Sequence, residues 1–250
     1  MTEPGNTFMA RIPFRGARLF EFARRRGLPT WELDLGYAVH CALRELFGDD
    51  APQPFSLGDP TGAIQPVLGY GPIDAQGLRA AAQLKADPWM WEHLVDWEHL
   101  AAKPMPEAWK AGQVLDFTVR AMPIARAAQD HPNHKKGREV DVFLLACRAA
   151  EGQPQPDREA VYRDWFTAQL ARHGGATLVR LHVERFQLER PARRDHAKDV
   201  RKPLKGRPDV TFTGTLTVTD PAAFRALLAR GIGRHRAFGF GMLLLRPPAR

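Results

Sequence analysis

The most constraining feature of this chain is the run from Val210 to Leu245. Val210–Thr219 (VTFTGTLTVT) puts Val210, Phe212, Leu216 and Val218 on one face and threonines on the other. That is the period-two pattern of a half-buried strand. Asp220-Pro221 then supplies an N-cap and a residue whose ring pre-sets a helical φ, so a helix follows to about Arg230, where Gly231 stops it. Phe238–Leu245 reads as a last strand, apolar on both faces and therefore central. Upstream, Gln113–Met122 sets Leu115, Phe117, Val119 and Ala121 against Asp116, Thr118 and Arg120, a second half-buried strand. Asp157–His173 carries apolar residues at helical spacing and ends at Gly174-Gly175. Thr177–Leu188 is a third strand. Val179, Leu181 and Val183 share one face, and Phe186 and Leu188 change phase, as at a bulge or twist.

The resulting order is β-α-β-β-α-β, the ferredoxin-like unit, a plan shared with RNA-recognition domains. The first hundred residues repeat it less cleanly. Phe8–Pro13 suits a strand, Ala17–Arg26 a short helix and Asp34–Phe47 a longer one. Strands are expected near Phe55–Leu57 and Gln65–Leu68, a helix over Ala75–Leu84, and extended chain near His93–Lys103. The expectation is an α+β protein of two tandem ferredoxin-like (RRM-like, βαββαβ) domains. They would span 1–107, with an arginine-rich insertion, and 108–250, with a basic hairpin loop and a glycine-rich loop. Pro104 and Pro106 interrupt the pattern at the boundary.

Charge narrows the function. The 250 residues carry 36 Lys+Arg against 28 Asp+Glu, a formal net charge of +8. Arg190–Arg207 (RPARRDHAKDVRKPLKGR) contains eight basic and two acidic residues, so 8 − 2 = +6 of that charge lies in one loop joining two strands. Its cations include Arg193, Arg194, Lys198, Arg201, Lys202, Lys205 and Arg207. A second cluster holds Arg15, Arg18, Arg24, Arg25 and Arg26, and a third Lys135, Lys136 and Arg138. Charge runs are often plain solvated surface; three in one small protein favour a polyanion, because each phosphate contact releases counterions. Two distant cysteines, Cys41 and Cys147, make no disulfide scaffold and no thiolate zinc site. No apolar run approaches a membrane span and the first residues lack a signal-peptide core, so a cytoplasmic protein is expected.

Two constellations could do chemistry. On the helix Asp34–Phe47, Leu35, Val39, Ala42, Leu43 and Leu46 form an apolar face. Tyr37, His40 and Arg44 form a stripe opposite. An imidazole can take a proton from a ribose 2′-OH near neutrality, a phenol can orient it, and a guanidinium can stabilise charge on phosphorus. The same spacing also suits three surface residues of an amphipathic helix. The second is Gly231–Gly241 (GIGRHRAFGFG). It follows a helix and opens a strand, the reverse of a dinucleotide fingerprint. Gly231, Gly233, Gly239 and Gly241, with Arg234, His235 and Arg236 between them, make a loop whose backbone can approach a polyanion. A tight helix-to-strand connection accounts for fewer glycines. His131/His134 and His93/His99 lack companion ligands, no carboxylate pair calls for two-metal chemistry, and the Trp89, Trp91, Trp97 run suits core better than base stacking.

These residues carry a family resemblance. Phe212–Leu245, with Asp220, Pro221, Phe224, Gly231, Ile232, Gly233, Arg236, Ala237, Phe238, Gly239 and Gly241, is similar to the closing signature of CRISPR-associated RNA-processing endoribonucleases of the CasE type, in the RAMP superfamily. Ala111-Gly112-Gln113 leading to Phe117 and Arg120–Pro123 resembles the family's A-G-Q strand, and Tyr37-Ala-Val-His40 its Y-x-x-H. The resemblance implies metal-independent, cofactor-free cleavage of precursor crRNA at the base of a repeat stem-loop. The 2′-OH attacks, leaving a 2′,3′-cyclic phosphate and a 5′-OH. It also implies that the protein stays bound as a subunit beside other effector-complex proteins. Carried over, His40 is the base or acid, Tyr37 its partner, and the glycine-rich and basic loops hold the stem. The family's Y-x-x-H follows the first strand closely. Here Phe14–Arg26 and Trp31–Gly36 intervene, consistent with an insertion offering Arg24, Arg25 and Arg26 to RNA, or with catalysis shifted toward arginine. Type I-E and type IV members both fit. A non-catalytic RNA-hairpin-binding subunit and an RNA-binding assembly factor are the rival readings.

Overall fold

The computed structural model describes residues 7–28, 34–132, 134–189, 192–193, 202–203 and 207–248. Strand β1 (Phe8–Arg15) opens the chain and is followed by helices α1 (Gly16–Arg25) and α2 (Leu35–Phe47). Strands β2 (Phe55–Leu57) and β3 (Ile64–Gly71), helices α3 (Ala75–Lys85) and α4 (Pro88–His93), and strand β4 (Ala101–Pro104) complete the first unit. Its sheet has the order β2-β3-β1-β4 with every pair antiparallel, the ferredoxin-like arrangement.

The second unit begins with β5 (Val114–Ala121). An elaboration follows that periodicity does not reveal: β6 (Ile124–Arg126), β7 (Glu139–Asp141) and α5 (Val142–Ala149). Next come α6 (Arg158–His173), β8 (Ala176–Glu189), the short β9 (Ala192–Arg193) and β10 (Lys202–Pro203), β11 (Arg207–Val218), α7 (Pro221–Arg230) and β12 (Leu244–Arg246). The main sheet runs β12-β5-β11-β8, again antiparallel throughout. Both sheets therefore share one topology. Among the described residues no helix is long and apolar enough to cross a membrane.

Local chemistry explains the helices. Asp34, Asp74, Asp87, Asp157 and Asp220 each accept a backbone N–H of the first turn, the donors a helix cannot satisfy itself. In the first unit Ile12, Phe14, Leu19, Phe22, Val39, Leu43, Leu46 and Phe47 bury one core. Phe14–Arg26 is therefore no loose insertion. Leu19, Phe22 and Ala23 drive α1 into the core, while its arginines, with Ala17 and Phe20, face outward. Trp89, Trp91 and Trp97 pack partly buried against the same core. Phe117, Val119, Tyr162, Phe166, Phe212 and Phe224 centre the second core. Tyr70 of β3 joins it and donates its hydroxyl to the Leu243 carbonyl at 2.7 Å, with Met9 and Leu68 packed alongside. Burial pushes that phenol well above its usual range.

Two sequence expectations need correction. Phe238–Leu245 is not a central strand: only Leu244–Arg246 is extended, and it forms the sheet edge beside β5. Gly239 and Gly241 adopt φ of 83° and 81°, which breaks extended chain, while Arg236–Phe238 forms a 3-10 turn. Phe240, Met242 and Leu243 are apolar because they are buried, not because they sit mid-sheet. On β8, the register against β11 slips twice, so that Thr215 faces Arg180 and Leu216 faces Leu178. The slip turns Val179 outward, 62% exposed, instead of joining Leu181 and Val183. The second slip, between Val183 and Arg185, is the change of phase before Phe186.

One buried ion pair fixes the sheet end nearest the glycine-rich loop. The Asp209 carboxylate, fully buried, is held by Arg120 Nε and Nη2 at 2.8 and 3.0 Å and by Gln187 Nε2 at 2.5 Å. A bidentate pair of this kind fixes Arg120 in register. The Arg120 carbonyl in turn accepts the Gly241 N–H at 2.7 Å.

Candidate active site

The two constellations separated by almost two hundred residues in sequence meet in space. Asp34 caps α2 by accepting the Tyr37 N–H at 3.0 Å, and Gly36 occupies the first turn. A side chain at Gly36 would overlap the carbonyl oxygen of Phe238 and lie 2.9 Å from its carbonyl carbon. Glycine here is required by close approach of the glycine-rich loop. That approach lays the Phe238 ring over the stripe, 5.7 Å from Tyr37 and 5.7 Å from His40 between ring centroids. Tyr37 and His40 stack at 6.5 Å and 27°. His235 packs on Phe238 at 5.9 Å. Tyr37 and His40 are half-buried for this reason, although helical periodicity sets them opposite the core.

Burial, then the nearby Arg44 charge, hold the His40 imidazole below its ordinary range, so it is neutral at pH 7. Burial raises the Asp34 carboxylate, against hydrogen bonds from the helix start and the charges of Arg120 and His235. Arg44 itself is exposed and turned to Asp49 at 3.0 Å. Its connection to His40 is electrostatic rather than a contact.

The four glycines of the loop share one explanation. Gly231, Gly233, Gly239 and Gly241 all have φ between 73° and 83°. A Cβ on Gly231 would lie 2.7 Å from the Gly241 carbonyl, one on Gly233 3.1 Å from Trp165, and one on Gly239 3.2 Å from Phe55. Gly241 is pressed on the Ile232 backbone. Gly231, Gly239 and Gly241 are buried, so these glycines fold the loop onto the protein rather than opening its backbone to a polyanion. Of the three basic residues between these glycines, Arg234 is exposed, and His235 and Arg236 are half-buried. Arg236 donates to the Arg230 carbonyl at 2.6 Å. His235 is the one non-glycine with positive φ among the described residues, at 60°. It is held by Glu139, which also binds Arg207 and Arg234.

The basic clusters are dispersed. Arg25 pairs with Glu21 at 2.9 Å and lies over the Trp89 ring at 4.2 Å. Arg26 pairs with Glu45 and Asp87. These two arginines of the expected RNA-facing trio are committed to carboxylates of their own unit; Arg24 is exposed. Arg207 is likewise mostly buried against Glu139 instead of projecting with its loop. Lys135, Lys136 and Arg138 are exposed, with Lys135 3.7 Å from Asp130. Arg194, Lys198, Arg201 and Lys205, and the side chains of Arg193 and Lys202, lie outside the described residues. His131 and His134 stack at 5.1 Å, and the described residues hold no group of three metal-ligating side chains. Sequence reasoning missed Gly36, Phe238 and Glu139. A glycine in the first turn of an otherwise good helix was the signal for the first.

A pair of tandem ferredoxin-like units, closed by a glycine-rich loop against a Tyr/His helix, is the class defined by this fold and site. The profile of a family described as CRISPR associated protein matches residues 7–247, and the chain belongs to that family. Among solved structures, it is similar to Thermus thermophilus Cse3 bound to an RNA representing a pre-cleavage complex. The TM-score is 0.63 and the identity 22%, over 97% of this chain and 100% of that one. It is also similar to Cas6e of Escherichia coli str. K-12, at TM-score 0.57 and 22% identity, over 96% and 100%. A chain of a CRISPR RNA-guided surveillance complex matches at TM-score 0.52 and 15% identity, over 96% and 100%. No curated protein sequence matches significantly.

Proposed function

We propose that this chain is an endoribonuclease that binds the stem-loop of a CRISPR repeat, cuts precursor crRNA beside it, and stays bound as a subunit of an effector complex. The observation that carries the reading is the Phe238 ring seated on both Tyr37 and His40, which brings the two sequence constellations to one place. The fold shared with RNA-bound Cse3 and with a surveillance-complex chain supports the substrate and the assembly. The units assigned to 1–107 and 108–250 contribute one constellation each, and the protein works in the cytoplasm.

In the reaction, neutral His40 takes the 2′-OH proton, and the freed oxygen attacks the adjacent phosphorus. Tyr37 orients the ribose. The P–O5′ bond breaks as the 2′,3′-cyclic phosphate forms, and the 5′-oxygen leaves as a hydroxyl after taking a proton from imidazolium or water. No metal ion enters these steps. The exposed Arg234, Lys135, Lys136 and Arg138, with the cations of the loop 190–206, grip the stem.

The test uses the hairpin RNA that co-purifies with the protein, resynthesised with a 5′ label and extended beyond its 3′ end by the sequence that follows it in the precursor, so that the bond to be cut is present. Cleavage in EDTA to products ending in a cyclic phosphate is expected. Salt-dependent binding with no product under any buffer condition would establish the non-catalytic hairpin binder instead.

The pH profile carries a further prediction. A base must be unprotonated, so kcat/KM rises with pH through the depressed pKa of His40 and levels off at a lower pH than it would for a free imidazole. Arg44→Gln removes a positive charge that disfavours imidazolium, so the acid limb moves to higher pH while burial keeps it below that of free histidine. An unmoved limb would mean that His40 is not the titrating base.

A further inference from the structure

Glu139 lies outside every sequence motif named above, yet three basic side chains from two distant segments converge on it. Its carboxylate is 2.8 Å from Arg207 Nη1, 2.9 Å from His235 Nε2 and 3.3 Å from Arg234 Nη1. It is largely buried, with side-chain exposure of 16%, equal to that of Arg207. Arg207 Nη1 also comes within 2.7 Å of His235 Nε2. One ring nitrogen cannot donate to Glu139 and accept from Arg207 together. With Nε2 protonated, both groups are donors, and the carboxylate between them satisfies both.

The positions of these partners matter. Arg207 is the residue at which the basic hairpin rejoins the sheet as β11. His235 holds the strained corner of the glycine-rich loop, and its carbonyl accepts the Phe238 N–H at 2.8 Å. The His235 ring rests on Phe238, and Phe238 rests on Tyr37 and His40. Left-handed backbone at a histidine persists only when its surroundings hold it there, and Glu139 is the anchor that does so. We propose that Glu139 is a positioning residue: it joins the root of the RNA-gripping hairpin to the loop that sets Tyr37 and His40, so that cleavage depends on it more than binding does. This rests on the reading of Tyr37 and His40 given above.

The Glu139 carboxylate is pushed down to about 2, first by its hydrogen bond with His235, so the anchor stays charged throughout the working range. Removing it has two opposite consequences. The loop loses its anchor, and a displacement of about 1 Å at reacting groups can cost about 100-fold in rate. Arg207 and Arg234 meanwhile lose one internal counter-charge, which strengthens their attraction for phosphates.

The experiment is single-turnover cleavage of the same 3′-extended hairpin by full-length Glu139→Ala, Glu139→Gln and wild type, with Kd measured separately. Glu139→Ala is expected to cut about 100-fold slower at saturating RNA, with Kd unchanged or tighter. Glu139→Gln, which keeps the shape and one acceptor, should recover part of the rate and serves as the folded control, checked by its melting curve. A wild-type rate in Glu139→Ala would overturn the proposal. So would a loss confined to Kd, which would make Glu139 a surface-shaping residue only. His40→Ala run in parallel separates the levels. If it cuts like wild type, the underlying active-site reading fails; if it is inactive while Glu139→Ala is normal, only the positioning role fails.

Discussion

His40→Ala is expected to lose cleavage by about 10²- to 10⁴-fold while still binding the hairpin RNA. The imidazole has two properties that a base needs. It is neutral at working pH because burial and the Arg44 charge both disfavour imidazolium. It is also held in place, stacked on Tyr37 and covered by Phe238. Alanine removes the proton acceptor and leaves the outward cations Arg234, Lys135, Lys136 and Arg138 untouched, so affinity should change little. Tyr37→Phe separates the parts further. The ring stack survives, only the hydroxyl is lost, and a smaller rate defect follows if that hydroxyl orients the ribose. The measurement is single-turnover cleavage beside a binding titration at fixed salt. A His40→Ala protein that cuts at the wild-type rate would move the search for the catalytic group to the arginines.

The second large effect is structural. Gly36→Ala puts a methyl group into the Phe238 carbonyl, a backbone group that cannot yield as the end of a flexible side chain would. Overpacking of this kind costs about 1–3 kcal/mol, which for a chain of this length is a fall of roughly 2–10 °C in Tm. Relief comes by moving the loop off α2, so Phe238 also leaves the Tyr37/His40 stripe and the cutting rate falls with stability. Alanine is the better helix former, so propensity alone predicts the opposite sign. A melting curve decides between the two. A Gly36→Ala protein as stable as wild type would show that the contact between loop and helix is dispensable.

Much of the fold was legible because its signals are local. Val210–Thr219 alternates, Asp220-Pro221 caps, and six helices among the described residues carry an aspartate in the capping position. What misled was apolar character with a non-local cause. Phe240, Met242 and Leu243 look like a central strand, but they are buried by packing around two left-handed glycines. Val179 alternates correctly and still faces outward, because a bulge is a property of two strands rather than one. For the site, residue types and helical spacing picked out Tyr37 and His40, and clustering picked out the glycine loop. Nothing in one sequence joined them, since their contact depends on how one unit lies against the other. The same limit applies to charge. Arg25, Arg26 and Arg207 add to a basic run when counted, yet each meets a carboxylate distant in sequence or a turn away.

The contact between Gly36 and Phe238 has a consequence for when the proposed active site is assembled. One half of the site is made early in synthesis and the other almost two hundred residues later. A growing chain that has already folded its first unit carries Tyr37 and His40 without the ring that covers them. On the proposed function, products truncated or stalled before the glycine-rich loop would then be harmless to cellular RNA, and cleavage would begin only once that loop has folded onto the first unit.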